Sequence, residues 1–184
     1  MYKRQELTLP DNMPQIWQIA SIVAVSVDNS PIGAFALADS LKGDSLQAIQ
    51  RLHQHNIDVV IMSGDQQSVV DYVAQQVGVK TAQGNCSPRD KATYIERLRQ
   101  QGKVVAMVGD GVNDAPALAM ANVSFAMKSG SDVAEQTASA TLMQHSVDQL
   151  VDGLMISRAT LKNIKQNLFF ALIYNVLGLS LIHI

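Results

Sequence analysis

Cysteine is nearly absent from this chain: Cys86 is the only one in 184 residues. A lone thiol excludes an internal disulfide and a Cys-x-x-Cys metal site, and the plain reading of Cys86 is a small, semi-buried packing residue. Charge is sparse too. Charged residues make up 16% and apolar residues 47%, a balance that excludes a disordered polymer and supports a packed core. The net charge of −2 gives no general attraction for nucleic acid. Met1 to Asp11 is polar and lacks the apolar segment of a secretory leader. No repeat or low-complexity tract occurs. From Val147 onward there is no proline and no convincing stop, so the pattern reads as one long helix. The length suits one ordinary domain, or one domain with pieces of others.

The most informative stretch is Gly109-Asp110-Gly111-Val112-Asn113-Asp114-Ala115-Pro116. It follows Lys103-Val104-Val105-Ala106-Met107-Val108, a short β-branched run that reads as a strand buried on both faces, as in a parallel sheet. Asp110 and Asp114 lie four residues apart around the turn, at the carboxyl end of that strand, where open α/β sheets bind ligands. Two close carboxylates repel, and a hard cation such as Mg²⁺ relieves the repulsion. A Gly-Asp-Gly by itself is equally an acidic turn between strand and helix.

Taken in order, Ile19 to Val27 and Ile32 to Ala38 read as strands of a hairpin. Asp44-Ser45 reads as a helix cap, with Leu46, Ile49 and Leu52 facing inward. Ile57 to Met62 reads as a buried strand ending at Ser63-Gly64-Asp65. A helix follows with Val69, Val73 and Val77 on one face and Gly78 as its stop. Ser87-Pro88 opens the next helix, with Ile95 and Leu98 inward. Ala115 to Met120 reads as a helix, and Val123 to Met127 and Ala140 to Met143 as strands. This alternation predicts a doubly wound parallel sheet. Met107, Met120 and Met143 fall at core positions, and His53 and His55, two apart on a helix, point away from each other at the surface. Near the end, Arg158, Lys162 and Lys165 precede an uncharged run from Leu168. That order fits a cytoplasmic approach to a membrane, although the run is slightly shorter than a bilayer span.

Four segments carry a resemblance. Gly-Asp-Gly-Val-Asn-Asp-Ala-Pro-Ala-Leu at 109–118 closely resembles the signature of P-type ATPases, within the haloacid dehalogenase superfamily. Met62-Ser63-Gly64-Asp65 resembles their Thr-Gly-Asp motif, with serine for threonine. Pro88-Arg89-Asp90-Lys91 resembles their Pro-x-Asp-Lys segment. Asp39-Ser40-Leu41-Lys42 resembles their Asp-Pro-x-Lys hinge, with serine at the proline position. The resemblance implies a haloacid dehalogenase-like α/β fold in three parts: the end of a nucleotide-binding domain over 1–38, a phosphorylation domain over 39–146, and a stalk with a truncated transmembrane helix over 147–184. The Asp-Lys-Thr-Gly-Thr motif, whose aspartate accepts the phosphoryl group, does not occur in the chain.

The resemblance also implies roles. Asp110 would bind Mg²⁺ directly, with Asp114 supporting the same ion. Ser63 would offer a hydroxyl to a phosphoryl oxygen, and Lys91 a fixed positive charge beside the transferred group. Asn113 would orient the phosphoryl group or its loop, and Asp65 would meet the nucleotide during domain closure. Gly64, Gly109 and Gly111 would shape the loops around the phosphates of ATP.

Asn167 to Asn175 resembles the seventh membrane helix of copper-exporting members, where a Tyr-Asn pair helps bind Cu(I). Tyr174 and Asn175 are the corresponding candidates, and an intramembrane asparagine is costly enough to be functional. The implied parent is a Cu(I)-translocating ATPase of a bacterial inner membrane, with the chain up to about Lys165 on the cytoplasmic side. Its partners would be ATP, Cu(I), the membrane and the rest of the same polypeptide. Alternatives are a zinc or cadmium ATPase, or an inactive haloacid dehalogenase-like module that binds Mg²⁺ or phosphate. Met1 to Gln5 and Leu179 to Ile184 resemble translated sequencing-adapter sequence and read as cut ends; the family pattern would continue after Gly178 with Ile-Pro and small residues, so His183 is given no role.

Overall fold

In the computed structural model, residues 20–28, 30–37, 40–128, 132–144 and 146–182 are described. The polar opening tract, Asp39 of the hinge-like segment and His183 lie outside them. Strands β1 (Ser21–Val27) and β2 (Ser30–Leu37) form an antiparallel hairpin with an irregularity between Val25 and Ser26. Large apolar side chains on both of its strands are exposed, among them Val23, Val27, Ile32, Phe35 and Leu37.

Helices and strands then alternate: α1 (Ser45–Gln54), β3 (Val60–Met62), α2 (Gln67–Val77), β4 (Thr81–Gln83), α3 (Pro88–Gln100) and β5 (Ala106–Gly109). A 3₁₀ turn over Val112–Asp114 leads to α4 (Ala115–Met120), β6 (Val123–Met127), α5 (Asp132–Thr137), β7 (Ala140–Leu142) and α6 (Val147–Ile182). Every strand after the hairpin is parallel to its neighbour. β3 pairs with β4, with Val60 opposite Thr81. β5 pairs with β6, and β6 with β7. The expected parallel sheet is therefore present in two pieces, β3-β4 and β5-β6-β7, with β3 and β5 not hydrogen-bonded to each other.

Each piece has its own core. Ala48, Ile49 and Leu52 of α1 pack with Ala74 and Val77 of α2, Val79, and Val151 of α6. Leu118, Ala126 and Ala134 form the second core, against which Met107 packs. Helix α6 is held to α1 at its first turns. Arg51 forms ion pairs with Asp148 and with Asp152, and the Ser146 hydroxyl donates to the Asp44 carboxylate.

Several expectations are corrected here. Asp44 holds the N-cap position of α1, but its side chain makes no capping hydrogen bond, because its carboxylate is engaged by Ser146. Leu46 is exposed, and Ala48 takes the inward position. The buried stripe of α2 is Val70, Ala74 and Val77; Val69 and Val73 are only half-buried, because the helix is rotated by about one residue from the valine pattern. Val104 is 84% exposed, since β5 begins only at Ala106. Met143 lies beyond the end of β7 and is exposed. Strand β4 and helix α5 were not anticipated. Gly78 does end α2, in the left-handed conformation (φ +74°) that glycine adopts without strain.

Helix α6 is continuous over 36 residues, as its unbroken pattern predicts. Its uncharged part from Leu168 to Ile182 rises only about 22 Å, against roughly 30 Å of hydrocarbon. No helix among the described residues is long and apolar enough to cross a membrane, so a spanning segment is not met.

Val151 is wholly buried where α6 meets α1 and α2. Val151→Ala removes two buried carbons and leaves a cavity, so it is expected to lower stability by about 2 kcal/mol. Val104→Ala, at an exposed site, is expected to change it by less than about 0.5 kcal/mol. Urea midpoints of the two variants check the pair. Equal midpoints would show that α6 does not complete this core.

Candidate functional site

The site is built from three chain crossings at the carboxyl ends of β3 and β5 and the start of α3. Strand β3 ends at Met62, and the next residues turn back against the loop after β4. The Ser63 N–H donates to Gln83 O (3.0 Å), Asn85 N–H to Asp65 O (2.7 Å), and Cys86 N–H to Ser63 O (2.9 Å). Gly84 N–H donates to Gln67 Oε1 (2.7 Å), and a Cβ on Gly84 would stand 2.7 Å from the Gln67 Cα, so only glycine fits. These hydrogen bonds tie the two loops together.

That piece feeds directly into α3. The Ser87 hydroxyl accepts from the Asp90 N–H (3.2 Å), and the Ser87 N–H donates to Asp90 Oδ2 (2.9 Å), a reciprocal capping box with Pro88 at the first helical position. The helix start fixes the next residue, Lys91. Its ammonium reaches Asp114 Oδ1 at 2.8 Å, and both side chains are largely buried, at 14% and 11% exposure. The other Asp114 oxygen accepts from the Asp110 N–H at 3.3 Å. Gly109 makes room for this carboxylate, since a Cβ there would stand 2.7 Å from the Asp114 Cβ.

With both Asp114 oxygens engaged, the carboxylate left free is that of Asp110. It is exposed and has no hydrogen-bond or ion-pair partner among the described residues. Ser63, Lys91, Gly109, Asp110 and Asp114 line one open cleft of about 270 Å³, together with Met62, Met107, Val108 and Met127. One free carboxylate, a second held nearby, a hydroxyl and an ammonium form an all-oxygen donor set with a positive neighbour. That set fits Mg²⁺, which takes one or two carboxylates and fills its remaining positions with water and phosphate oxygens. Among the described residues no cluster of three or more His, Cys, Asp or Glu could hold a metal by itself.

The structure thus brings five expected site residues together. Asp65 is outside the cleft lining but holds Ser63, whose hydroxyl donates to Asp65 Oδ2 at 2.7 Å. Gly64 and Asn113 are exposed, and Gly111 is half-buried in the same turn; none of the three lines the cleft. Tyr174 and Asn175 are exposed on α6, about 40 Å along its axis from Val147. Gln67 and the Ser87–Asp90 box were missed as site-building residues, although Ser-x-x-Asp ahead of a helix is a readable capping signal. Cys86 is buried, and desolvation pushes its thiol above the usual range, away from the nucleophilic thiolate.

Removing the ammonium from the Lys91–Asp114 pair leaves a buried carboxylate uncompensated. Lys91→Met is expected to destabilise the chain by about 3 kcal/mol. Adding Asp114→Asn should restore most of that loss in urea unfolding. Asp90 gives a pH test. Hydrogen bonds from Ser87 hold its carboxyl below the usual range, so its stabilisation is full above the unfolded carboxyl value and disappears as pH falls through the folded one. The thermal midpoints of wild type and Asp90→Ala should therefore differ at about pH 6 and draw together only as pH falls below the ordinary Asp value of about 3.9.

The profile of the haloacid dehalogenase-like hydrolases matches residues 5–122. A probable cation-transporting ATPase of Haemophilus influenzae is 75% identical over 175 residues, covering 95% of this chain and 24% of that protein. A copper-exporting P-type ATPase of Vibrio cholerae is 43% identical over 176 residues, covering 96% of this chain and 19% of that protein. The crystal structure of a zinc-transporting PIB-type ATPase superposes with a TM-score of 0.75 at 36% identity, covering 83% of this chain and 25% of that one. The chain spans between about a fifth and a quarter of the length of these relatives. It belongs to the haloacid dehalogenase-like hydrolase family, in the form that its close homologues, the heavy-metal P-type ATPases, carry.

Proposed function

We propose that the chain carries the Mg²⁺-binding and phosphoryl-stabilising part of the catalytic domain of an ATP-driven Cu(I) translocase. The observation that carries this reading is the convergence of Ser63, Lys91, Asp110 and Asp114 on one cleft. Phosphoryl transfer needs little from a protein beyond positioning and charge neutralisation, and these residue types supply both. Mg²⁺ held at Asp110 would neutralise phosphate charge. Asp114 would keep the Asp110 backbone in place and hold Lys91, whose ammonium faces the same cleft. Ser63 would exchange its hydrogen bond to Asp65 for one to a phosphoryl oxygen. Asn113 and Asp65, outside the cleft lining, would act when a nucleotide domain closes over the cleft.

The gap between β3 and β5 supports a further part of the reading. Each is an edge strand of its own sheet, and residues at the carboxyl ends of both line the cleft. One more parallel strand would join the two sheets and bring its own carboxyl end to the same place. That strand would carry the missing Asp-Lys-Thr-Gly-Thr, with its aspartate beside Ser63 and Asp110. The open faces of the β1-β2 hairpin are accounted for in the same way, as the closing edge of a larger nucleotide-binding domain. The chain up to about Lys165 would lie in the cytoplasm, and α6 would lead to the membrane.

Copper as cargo rests on Tyr174 and Asn175. Zinc is the second reading, favoured by the fold shared with a zinc transporter. The test is the full-length gene product, assayed for ATP hydrolysis with Cu(I) and with Zn²⁺. Copper stimulation is expected, and Asn175→Ala should reduce it while phosphorylation from inorganic phosphate persists. Stimulation by zinc alone would move the cargo assignment. Asp110→Ala in the same protein is expected to reduce phosphoenzyme formation by at least about 100-fold. The 184-residue chain alone, lacking the aspartyl nucleophile, should form no hydroxylamine-sensitive acyl-phosphate from labelled ATP.

A further inference from the structure

Strand β4 is three residues long, and β3 runs parallel along one of its edges. The Ser63 N–H continues that ladder onto Gln83 O at 3.0 Å. Consecutive residues of a strand aim their peptide groups at opposite edges, so Ala82 and Gly84, on either side of Gln83, face away from β3. Among the described residues no strand pairs with β4 on that outer edge. The Gln67 side chain stands there instead. Its Oε1 accepts from the Gly84 N–H at 2.7 Å, and its Nε2 donates to Ala82 O at 3.4 Å and to Asp71 Oδ1 at 2.7 Å. Accepting from one residue and donating to the residue two before it is what the backbone of a parallel strand opposite Gln83 would do. Gly84 is buried, so without Gln67 its N–H would be left without a partner. The chain then turns through Asn85 in the left-handed conformation (φ +52°) and reaches Cys86, whose N–H donates to Ser63 O. Both backbone groups of Ser63 are thus engaged by the segment whose outer edge Gln67 closes.

We propose that Gln67 is a positioning residue for the phosphoryl site: by standing in for a strand at the outer edge of β4, it holds the segment that sets the Ser63 backbone, and so sets where the Ser63 hydroxyl meets a phosphate oxygen. Gln67 lines no part of the cleft, and its action is indirect. The role needs a donor and an acceptor on one planar group, which a side-chain amide supplies. Asp71, one turn along α2, accepts only, and so fixes which end of that amide faces Gly84. The effect is confined to one side of the cleft. Asp110 and Asp114 belong to the loop after β5, where Lys91 and the Asp110 N–H hold the Asp114 carboxylate. The inference rests on the proposed function for what the Ser63 hydroxyl meets, and not for how Gln67 holds Ser63.

The experiment has two readings. In the 184-residue chain, amide hydrogen exchange is followed at Ser63 and Cys86, whose N–H groups donate to backbone carbonyls and not to Gln67. Gln67→Met keeps the length and removes the amide, and should speed exchange at both by about tenfold. In the full-length gene product, Gln67→Met should raise the inorganic phosphate needed for half-maximal phosphoenzyme by about tenfold. The Mg²⁺ requirement at saturating phosphate should stay at the wild-type value. Ser63→Ala should also raise the phosphate requirement, and adding Gln67→Met to it should raise it no further. Gln67→Glu turns a carboxylate toward Asp71 and Ala82 O and should be impaired. Gln67→Glu/Asp71→Asn exchanges donor and acceptor, still accepts from the Gly84 N–H, and should recover most of the loss. Unchanged exchange at Ser63 and Cys86 in Gln67→Met would overturn the proposal, as would an unchanged phosphate requirement or one that Gln67→Met still raises in the Ser63→Ala background. If the wild-type gene product forms no phosphoenzyme, the proposed function fails, and the exchange reading alone decides on Gln67. If Gln67→Met does not fold, the two Gln67→Glu variants decide, and equal behaviour of the single and the double would overturn the proposal.

Discussion

The contact on which the site depends is the pair between Lys91 and Asp114. It is the one ion pair among the described residues with both side chains largely buried. It also joins helix α3, fed by the β3-β4 piece, to the loop that leaves β5. A buried pair of this kind adds little net stability over an apolar replacement, but either charge left alone is expensive. Its value lies in geometry. Lys91 cannot turn to solvent without stranding Asp114, and Asp114 cannot leave without releasing the Asp110 backbone. The free carboxylate at the cleft mouth is thus held by a chain of partners and is not itself spent on any of them.

The loops around the pair follow the same logic. Ser63 is placed by backbone hydrogen bonds to the Gln83–Cys86 segment, and that segment runs straight into the capping box that sets Lys91. The hydroxyl is thus joined through one backbone segment to the start of α3, and α3, which packs against α4, carries the ammonium to the two carboxylates of the β5 loop. The two pieces of sheet have separate cores, and the cleft lies along the seam between them. A site on such a seam is sensitive to anything that inserts between β3 and β5.

The sequence made much of this legible, unevenly. The motif residues were found because glycine, aspartate and serine at loop positions carry conformational as well as chemical information. The start of α3 and the end of α2 followed from Ser-Pro and from Gly78. The inward faces were read less well. Val69 and Val73 are as apolar as Val70, and periodicity alone does not tell which of them the fold buries. Strand β4 is three residues long and polar at both ends, too short for periodicity to register. Asp44 illustrates a different limit: it has the chemistry of a cap, but a serine 102 residues away engages its carboxylate. Leu168 onward was read correctly as helix, and its apolar length, counted in rise per residue, falls short of a bilayer.

The long-range stitching of α1 to α6 has a consequence for how the chain is made. Ala48, Ile49 and Leu52 emerge from a ribosome about 100 residues before Val151, and Arg51 precedes its partner Asp148 by 97 residues. At 5–20 residues per second, α1 waits roughly 5–20 s for the helix that completes its cover. During that interval its apolar face is covered by α2 and by Ile57, Val59, Ile61, Val79 and Ala82 but not by α6, and the β5-β6-β7 piece finishes its own core first. Synthesis order alone would therefore have the β5-β6-β7 core complete before the α1-α2 core is sealed, leaving the earlier-made half of the unit as the stretch that most needs protection by chaperones.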